Sequence, residues 1–346
     1  MAGNKNLNKA NKAKEDEFYT QLSDIENELK HYKEHFRDKV VLCNCDDPRI
    51  SNFFHYFSYN FEQLGLKKLI TTCYKNQNSD LFSMNDSEKA IWLEYEGDKN
   101  GSGVPDAEEI GVKYFKGDGD FRSEECVELL KQADIVVTNP PFSLFREYIG
   151  QLIRHDKKFL IVGNQNAIHY KDIFSLLKKD IVWLGYKSGN MEFKVPDYYE
   201  PRKTRFWIDE TGKKWRSLGN ICWFTNLEIP KRNEELVLYK NYNAEEYPTY
   251  DNYDAINVNK TVDIPCDYDG VMGVPITFMD KYNPNQFEII GTSTTDMPKG
   301  APYVNGKRIY ERILIRRKQN SATYKIEDSN SMAAEDNAPY GNNSNI

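Results

Sequence analysis

The sequence contains no apolar run that approaches the roughly 20 residues of a membrane-spanning helix. Its first 14 residues are polar and lack the apolar core of a signal peptide. Its 6 cysteines, at positions 43, 45, 73, 126, 222 and 266, include no Cys-x-x-Cys pair of the kind used in zinc and redox sites. We therefore expect a cytoplasmic protein with reduced, mostly buried cysteines and with neither a membrane partner nor a metal.

Positive charge is not in excess either, because 46 Lys and Arg residues stand against 53 Asp and Glu residues, for a formal net charge of −7. This balance excludes a protein that binds nucleic acid through its whole surface, but it allows a local basic face. At 346 residues with 39% hydrophobic side chains, the chain is long enough for two domains or for one large α/β domain with insertions.

The most informative stretch is Ile135–Phe142, which reads Ile-Val-Val-Thr-Asn-Pro-Pro-Phe. Its run of β-branched residues predicts a central strand of a parallel sheet, covered on both faces. Pro140 and Pro141 prevent further strand or helix pairing and fix the backbone just past the carboxyl end of this strand. Open α/β sheets bind their ligands at that edge, so we expect a functional site there.

The polar turn after this strand suits chemistry on an exocyclic amino group, whose lone pair is delocalised into an aromatic ring. The side-chain carbonyl of Asn139 and the backbone carbonyl of Pro140 can both accept hydrogen bonds from one NH2 group, which frees its lone pair for attack. Phe142 would stack on the ring that carries the amine. Alternatively, this is an ordinary strand-to-helix turn, in which Asn139 satisfies local backbone groups and Phe142 belongs to the core.

Predicted strands alternate with predicted helices over much of the chain, which indicates an α/β fold with a doubly wound, mainly parallel sheet and helices on both faces. The strands are expected at 39–43, 67–73, 112–115, 135–138, 159–162, 181–186 and 221–227, and the helices at 23–36, 50–64, 123–132, 143–154 and 171–178. Three loops, 44–48, 117–121 and 139–142, follow the carboxyl ends of strands, so we expect them to form one composite pocket.

Two segments outside this pattern combine basic and aromatic residues. The segment 187–220 has the basic residues Arg202, Lys203, Arg205, Lys213, Lys214 and Arg216, interleaved with Phe206, Trp207 and Trp215. The second segment ends at Lys318 and includes Arg316 and Arg317. Phosphate positioning together with base contact requires such segments. The alternative is that both are solvated loops.

Six motifs together resemble one enzyme family. They are Asp-Glu-Phe-Tyr-Thr at 16–20, Cys-Asn-Cys-Asp-Asp-Pro at 43–48, Gly-Asp-Gly-Asp-Phe-Arg-Ser at 117–123, Asn-Pro-Pro-Phe at 139–142, Tyr-Asp-Ala-Ile-Asn-Val-Asn-Lys at 253–260 and Gly-Val-Met-Gly-Val-Pro-Ile-Thr-Phe at 270–278. Over about residues 16–318 the chain resembles the adenine-N6 DNA methyltransferases, and most closely the EcoRI-type modification methylases.

The resemblance implies a Rossmann-like sheet and transfer of a methyl group from S-adenosylmethionine to adenine N6 in a specific sequence of double-stranded DNA. Asn139, Pro140, Pro141 and Phe142 match the catalytic turn of that family, and the target adenine would be flipped out of the duplex to reach them. Transfer would be a direct displacement that needs alignment more than a general base, and no metal. A monomer is implied, and a cognate restriction endonuclease would act on the same site without forming a stable complex.

The resemblance also implies a cofactor site, made of Phe18, Tyr19, Thr20, Asn44, Asp46, Asp118, Asp120 and Phe121. Of these, the segment 18–20 matches the element expected near the methionine carboxylate, and Asp46 matches the acid near the ammonium group. Asp120 and Phe121 match the pair that holds the adenine ring of the cofactor. Each acid could instead cap the helix that follows it.

The sequence departs from the usual methyltransferase pattern at two places. Asp46-Asp47-Pro48-Arg49 replaces the glycine-rich turn after the first strand, as it also does in EcoRI-type sequences. The second strand ends on Cys73-Tyr74, without the acid expected to bind the ribose.

We expect four parts along the chain. They are a flexible basic arm at 1–15, a methyltransferase domain at 16–227 with loop excursions at 75–110 and 187–220, an α+β target-recognition region at 228–318 and a disordered tail at 319–346. The competing interpretations are a methyltransferase for RNA adenine or protein glutamine, and a DNA-binding relative without activity. The phenylalanine at position 142 favours a nucleic-acid base, since glutamine methylation typically has tyrosine there.

Overall fold

A 10-stranded sheet organises the amino-terminal two thirds of the protein. The computed structural model describes residues 18–44, 51–74, 90–99, 101, 105, 110–197, 199–294 and 301–318; Asp46, the predicted arm and the predicted tail lie outside them. The strands are β1 (Tyr19–Thr20), β2 (Val40–Asn44), β3 (Lys68–Thr72), β4 (Ile91–Tyr95), β5 (Val112–Tyr114), β6 (Ile135–Thr138), β7 (Lys158–Asn164), β8 (Trp183–Lys194), β9 (Phe206–Ile208) and β10 (Lys214–Thr225). Their order is β1-β8-β10-β7-β6-β2-β3-β4-β5, with β9 paired to β10.

The centre of this sheet is parallel and its flanks are antiparallel. β7, β6, β2 and β3 pair in parallel, as the alternation of strands and helices predicts. β4 and β5 on one side, and β10, β8, β9 and β1 on the other, pair antiparallel. The prediction of a mainly parallel sheet is therefore confirmed only for the four central strands. An antiparallel neighbour needs no crossover helix, and the described residues of 187–220 contain none.

Helices cover both faces of the sheet. They are α1 (Leu22–Leu29), α2 (Asn52–Tyr59), α3 (Phe61–Leu64), α4 (Glu124–Gln132), α5 (Phe145–Arg154) and α6 (Lys171–Lys178). Alternate residues of a strand point to opposite faces, so Val41 of β2 packs in one core with α1, α2 and α3, whereas Leu42 packs in the other with α4, α5 and α6. Both faces of the central strands are thus buried, which explains why they are apolar throughout.

Strands β8 and β10 are longer than the strands beside them and project past the edge of the sheet. In β10 only Ile221–Thr225 pairs with β7, and Ile221 lies opposite Asn164, the last residue of β7. The preceding half of β10 pairs with the end of β8 and with β9 beyond the carboxyl ends of the parallel strands. We call this part the overhang: residues 189–194 of β8, β9, and residues 214–220 of β10. It corrects the expectation of a loop excursion at 187–220, and β4 likewise occupies part of the expected excursion at 75–110.

The region after β10 forms a second sheet. Its strands are β11 (Thr249–Tyr250), β12 (Tyr253–Asn257), β13 (Met272–Val274), β14 (Phe287–Thr292) and β17 (Ile313–Arg317), in the order β11-β12-β13-β17-β14, and β15 (Tyr303–Val304) and β16 (Lys307–Arg308) form a separate hairpin. Ile256, Met272 and Phe287 belong to the same buried core as Leu177 of α6 and Phe224 of β10. The two sheets therefore share a core rather than each burying its own.

A buried polar junction ties the two regions to the first helix. The Glu28 carboxylate is fully buried and accepts hydrogen bonds from the backbone N–H groups of Tyr186 and Lys187, each at 2.7 Å. Next to it, the ammonium of Lys231 donates to the carbonyl of Gly185 at 2.7 Å and to Asp280 Oδ1 at 2.8 Å.

Within the described ranges, no helix is both long and apolar enough to cross a membrane.

Candidate active site

The carboxamide of Asn139 lies buried just past the end of β6. Its Nδ2 donates a hydrogen bond to the backbone carbonyl of Phe18 at 2.7 Å, although the two residues are 121 positions apart in sequence. This bond orients the amide and directs Oδ1 away from Phe18. Oδ1 is buried and has no hydrogen-bond partner among the residues that the structure describes. A buried acceptor without a donor is costly, so this atom indicates a place where a ligand donates.

The aromatic ring of the turn contacts Phe18, the same residue that holds the Asn139 amide. Residues 142–144 form one 3-10 turn, and α5 begins at Phe145. The ring of Phe142 is half-buried and packs on the ring of Phe18, with centroids 5.6 Å apart and an angle of 32° between the planes. Phe18 therefore supports both the amide of Asn139 and the ring of Phe142.

The crevice between β2 and β6 is the topological switch point of the sheet, because β3 lies on one side of β2 and β6 on the other. Ligands of open α/β sheets bind at such a point, outside the carboxyl ends of the strands. Asn44 ends β2 here and is buried; its backbone carbonyl accepts from the hydroxyl of Thr138, and its Oδ1 accepts from the hydroxyl of Tyr148. The carboxyl ends of β2 and β6 are thus hydrogen-bonded to each other at Thr138, the residue before Asn139.

The third predicted loop, 117–121, joins the same cluster. Gly119 has φ +74°, and a Cβ there would lie 2.6 Å from the carbonyl oxygen of Cys73, so only glycine allows this close approach to the chain after β3. The ring of Phe121 meets that of Tyr148 edge-on at 5.1 Å, and its backbone carbonyl accepts from Gln151 of α5 at 2.9 Å. Tyr148 therefore touches both Asn44 and Phe121, so the end of β2 and the loop 117–121 meet at one residue of α5.

The carboxylate of Asp120 is held by an arginine that sequence reasoning missed. Arg122 donates to Asp120 Oδ1 through Nε and through its backbone N–H, both at 2.8 Å, and it also reaches Glu147 of α5 at 3.2 Å. Burial raises the pKa of Asp120, but the hydrogen bonds and charge of Arg122 outweigh it, and the pKa lies below the ordinary value. Asp120 is therefore an ionised acceptor at neutral pH.

The other predicted cofactor residues make different kinds of contact. Asp118 is exposed, and its Oδ1 accepts from the backbone N–H of Asp120 at 3.0 Å, so its carboxylate shapes the loop. Tyr19 and Thr20 form β1 against the end of β8. Thr20 Oγ1 is buried without a hydrogen-bond partner among the described residues, and the Thr20 carbonyl accepts from Asn52 Nδ2 at 2.8 Å.

The basic residues predicted in 187–220 fall into two groups. Lys214 donates to the carbonyls of Asp197 and Tyr199, and Arg216 donates to those of Thr204 and Arg205, so both side chains hold the overhang together. The remaining four, Arg202, Lys203, Arg205 and Lys213, are exposed in the loops beside it. The guanidinium of Arg202 stands 5.8 Å from the ring centroid of Tyr199.

Arg316 and Arg317 end the strand β17 of the second sheet and point to opposite faces. Arg316 is exposed and lies opposite Glu288 in β14, with 4.0 Å between their charged atoms. Arg317 is half-buried and donates to the carbonyl of Cys266. Arg316 is thus placed for contact with a partner, whereas Arg317 anchors a loop.

Tyr148 and Arg122 are the two site residues that the sequence interpretation missed. Phe145, Tyr148, Ile149 and Leu152 follow helical spacing, and all are buried. A tyrosine on such a face needs a partner for its hydroxyl, which was the available signal for Tyr148. Arg122 carried no comparable signal, because an isolated arginine in a loop is normally solvated.

A mixed α/β sheet with an Asn-Pro-Pro-Phe turn at its switch point defines the class of methyltransferases that act on amino groups. Comparison with known proteins is more specific. The family model described as "Adenine-specific methyltransferase EcoRI" matches residues 6–338. The chain therefore belongs to the family of EcoRI-type adenine-specific methyltransferases.

Individual relatives agree with this assignment. The chain is 53% identical over 326 residues to the type II methyltransferase M.EcoRI of Escherichia coli, covering 92% of this chain and 98% of that protein. It is 42% identical over 335 residues to M.MgeORF184P of Mycoplasma genitalium, covering 90% and 99%. It is 38% identical over 335 residues to M.MpnI of Mycoplasma pneumoniae, covering 91% and 98%. No solved structure matches the chain.

Membership of this family implies S-adenosylmethionine as the methyl donor, and the residues in the crevice fit such a molecule. The hydroxyl oxygen of Thr20 is buried and has no hydrogen-bond partner among the described residues, so it can bind a polar group of the cofactor. The ionised carboxylate of Asp120 can accept from an amino group, and the half-buried ring of Phe121 offers an apolar surface beside it.

Proposed function

We propose that this chain methylates the exocyclic N6 of a flipped-out adenine at a specific site in double-stranded DNA, as the modification enzyme of a restriction–modification system. The observation that carries the proposal is the buried Oδ1 of Asn139, which has no hydrogen-bond partner among the described residues, in a turn whose half-buried ring, Phe142, packs on the residue that holds the amide, Phe18. Together they match the two needs of an aromatic amine, which are an acceptor for its N–H groups and a surface for its ring.

Three groups of the turn act on the target base. Oδ1 of Asn139 and the backbone carbonyl of Pro140 each accept one hydrogen of the amino group, which localises the lone pair on N6. Phe142 stacks on the purine. Pro141 keeps the turn rigid, because its ring restricts the backbone dihedral φ. S-adenosylmethionine, when bound, supplies the methyl group.

The adenine must leave the base stack, because the Asn139 carboxamide is buried within the crevice and a base inside a duplex cannot reach it. Phe18 positions the receiving groups, since its carbonyl fixes the amide of Asn139 and its ring supports Phe142. We assign the methionine end of the cofactor to the side of Phe18, Tyr19 and Thr20. Its adenine lies by Asp120 and Phe121.

The duplex lies across the carboxyl edge of the large sheet, between the overhang and the second sheet. Four exposed basic residues in the loops beside the overhang, Arg202, Lys203, Arg205 and Lys213, together with Arg316, contact phosphates. Lys214, Arg216 and Arg317 contribute indirectly, because their side chains hold backbone carbonyls and so shape the surface. On this proposal, residues 228–318 are the target-recognition region, and the enzyme acts as a monomer in the cytoplasm.

The test is transfer of labelled methyl from S-adenosylmethionine to unmethylated duplex DNA, followed by nucleoside analysis and mapping of the modified positions. We expect N6-methyladenine at one short sequence and no product from the same DNA methylated beforehand. RNA and protein acceptors serve as controls. Label in RNA or protein, with none in DNA, would overturn the proposed substrate. No label in any acceptor would refute the enzymatic activity and favour a DNA-binding relative without activity. Protection of the mapped site from an endonuclease that cuts it would connect the enzyme to restriction.

A further inference from the structure

The β9–β10 hairpin at the end of the overhang is rigid, because side-chain contacts stabilise both its strands and its turn. Trp207 and Trp215 lie opposite each other across the hairpin, and their rings stack with centroids 6.2 Å apart at an angle of 6°. Asp209 closes the turn: its Oδ1 accepts from the backbone N–H groups of Thr211 and Lys213 at 2.9 and 3.0 Å, and its Oδ2 accepts from the indole of Trp215 at 2.7 Å. The hairpin therefore holds its tip in one conformation.

A continuous line of aromatic rings connects the catalytic turn with this hairpin. Phe142 packs on Phe18 at 5.6 Å, Phe18 packs on Tyr199 at 6.1 Å, and Tyr199 stacks on Phe206 of β9 at 6.3 Å. Ile208 follows Phe206 by two residues in the same strand, so it points to the same face. Ile208 therefore lies on the same face of the hairpin as Phe206, the last ring of the line that begins at the catalytic turn.

Ile208 is the apolar side chain at the tip of this face. It is 56% exposed, and its cross-strand neighbour Lys214 turns away to bind the carbonyls of Asp197 and Tyr199. An isoleucine held in water at the end of a rigid hairpin gains nothing for the stability of the fold. Its exposure leaves it free to contact a partner.

The charge around the tip indicates which partner this is. Residues 202–216 contain six basic residues, Arg202, Lys203, Arg205, Lys213, Lys214 and Arg216, against two acidic ones, Asp209 and Glu210, in a chain of net charge −7. Asp209 is occupied within its own turn. A basic surface that carries one protruding aliphatic group suits a nucleic-acid duplex, in which phosphates flank an apolar base stack.

We propose that Ile208 is a wedge that enters the base stack of the bound duplex beside the target adenine and stabilises the extruded state. Inserted isoleucine, leucine, phenylalanine, methionine and proline side chains are known to unstack and kink duplexes. Three successive ring contacts connect Phe142 with Phe206, which lies on the same strand face as Ile208, and the Trp207–Trp215 stack stiffens the hairpin that carries it. This inference rests on the proposed function, because it assumes that the duplex is the substrate.

The experiment compares Ile208→Ala with a matched control, Val112→Ala. Val112 is also β-branched, is 51% exposed and lies in β5 at the opposite edge of the large sheet. Two duplexes carry the site mapped by the methylation assay; in the second, an abasic position stands opposite the target adenine, which is then already unpaired. Extrusion is followed by the fluorescence of 2-aminopurine placed at the target position, and methylation by single-turnover transfer.

On the paired duplex we expect Ile208→Ala to lower the extrusion signal and the methylation rate by about 15- to 50-fold, in line with the loss of two to three buried carbon groups. On the abasic duplex its rate should return to within about twofold of wild type, because extrusion no longer needs the wedge. Ile208→Met, which keeps a large apolar side chain, should behave as wild type on both. Val112→Ala should change neither.

Three outcomes would overturn the wedge while leaving the proposed function intact. They are wild-type behaviour of Ile208→Ala on the paired duplex, an equal loss on both duplexes, and a loss that Ile208→Met shares. Failure of wild-type protein to methylate either duplex would instead refute the proposed function. Thermal unfolding of each variant separates a loss of fold from a loss of extrusion.

Discussion

Replacing Asn139 by alanine tests the central feature of the site. The substitution removes Oδ1, the buried oxygen without a hydrogen-bond partner among the described residues, and with it one of the two acceptors proposed for the target amino group. It also removes Nδ2, the donor that holds the carbonyl of Phe18 at 2.7 Å. The variant therefore has two separable effects, one on turnover and one on stability.

The expected magnitudes differ for the two effects. Loss of one preorganised hydrogen-bonding group that acts in the transition state typically lowers kcat by about 10²- to 10³-fold, or about 2.7–4 kcal/mol. The buried Phe18 carbonyl loses its partner, which should lower the free energy of unfolding by about 1–3 kcal/mol. We expect DNA binding to change little, because Asn139 is buried away from the basic residues assigned to phosphates.

Asn52→Ala is the matched control for the stability effect. Asn52 also donates through Nδ2 to a backbone carbonyl of the amino-terminal segment, that of Thr20, at 2.8 Å. It should therefore lose a similar amount of stability while retaining most of its single-turnover rate at saturating cofactor. Asn139→Asp keeps an acceptor oxygen but loses the donor to Phe18, so its rate should lie between those of wild type and Asn139→Ala.

The assay is single-turnover transfer of labelled methyl, with urea unfolding and gel-shift binding measured on the same proteins. Equal rates for Asn139→Ala and Asn52→Ala would refute the reasoning, because the whole effect would then come from anchoring the amino-terminal segment. An unchanged rate in Asn139→Ala would remove this residue from the mechanism altogether.

Three further predictions concern residues around the site. Arg316→Ala should weaken DNA binding and reduce the salt dependence by about one counterion, whereas Arg317→Ala should mainly lower the melting temperature, since its guanidinium holds the Cys266 carbonyl; equal salt slopes for both variants would contradict this. Arg122→Gln should raise KM for S-adenosylmethionine several-fold without changing kcat, because the Asp120 carboxylate loses the hydrogen bonds that orient it. An unchanged KM would show that this carboxylate does not bind the cofactor. Burial raises the pKa of Glu28 above its ordinary value of 4.5, so folding favours its protonated form; the stability from this group is present below about pH 4.5 and is lost as the pH rises through the raised pKa. Urea unfolding at several pH values should show that loss in wild type and not in Glu28→Gln.

The loop around Asp120 combines a local sequence motif with contacts to a residue that is distant in sequence. The sequence motif predicts the acid and the aromatic ring beside it, and the structure places Phe121 against Tyr148 and Gln151 of α5. The structure adds that Arg122 joins Asp120 to Glu147 of α5. The carboxylate is therefore oriented by a helix that the motif does not include.

The sequence by itself determined the Asn-Pro-Pro-Phe turn and the central strands. β-Branched residues followed by two prolines define a buried strand that stops at one position, and this information is local. The alternation of strands and helices placed the parallel centre of the sheet, and family motifs placed the three loops at its carboxyl edge. Sequence alone also identified the family, which the comparisons confirm.

Only the tertiary structure decided how distant segments meet at the site. The bond from Asn139 to Phe18 joins residues 121 positions apart, and the overhang depends on the register between β7, β8 and β10. Which arginines face solvent and which hold carbonyls depends on the same register. Local periodicity shows which face of a strand is apolar, but it does not show which strand lies beside it, because pairing is selected by the energy of the whole packed core.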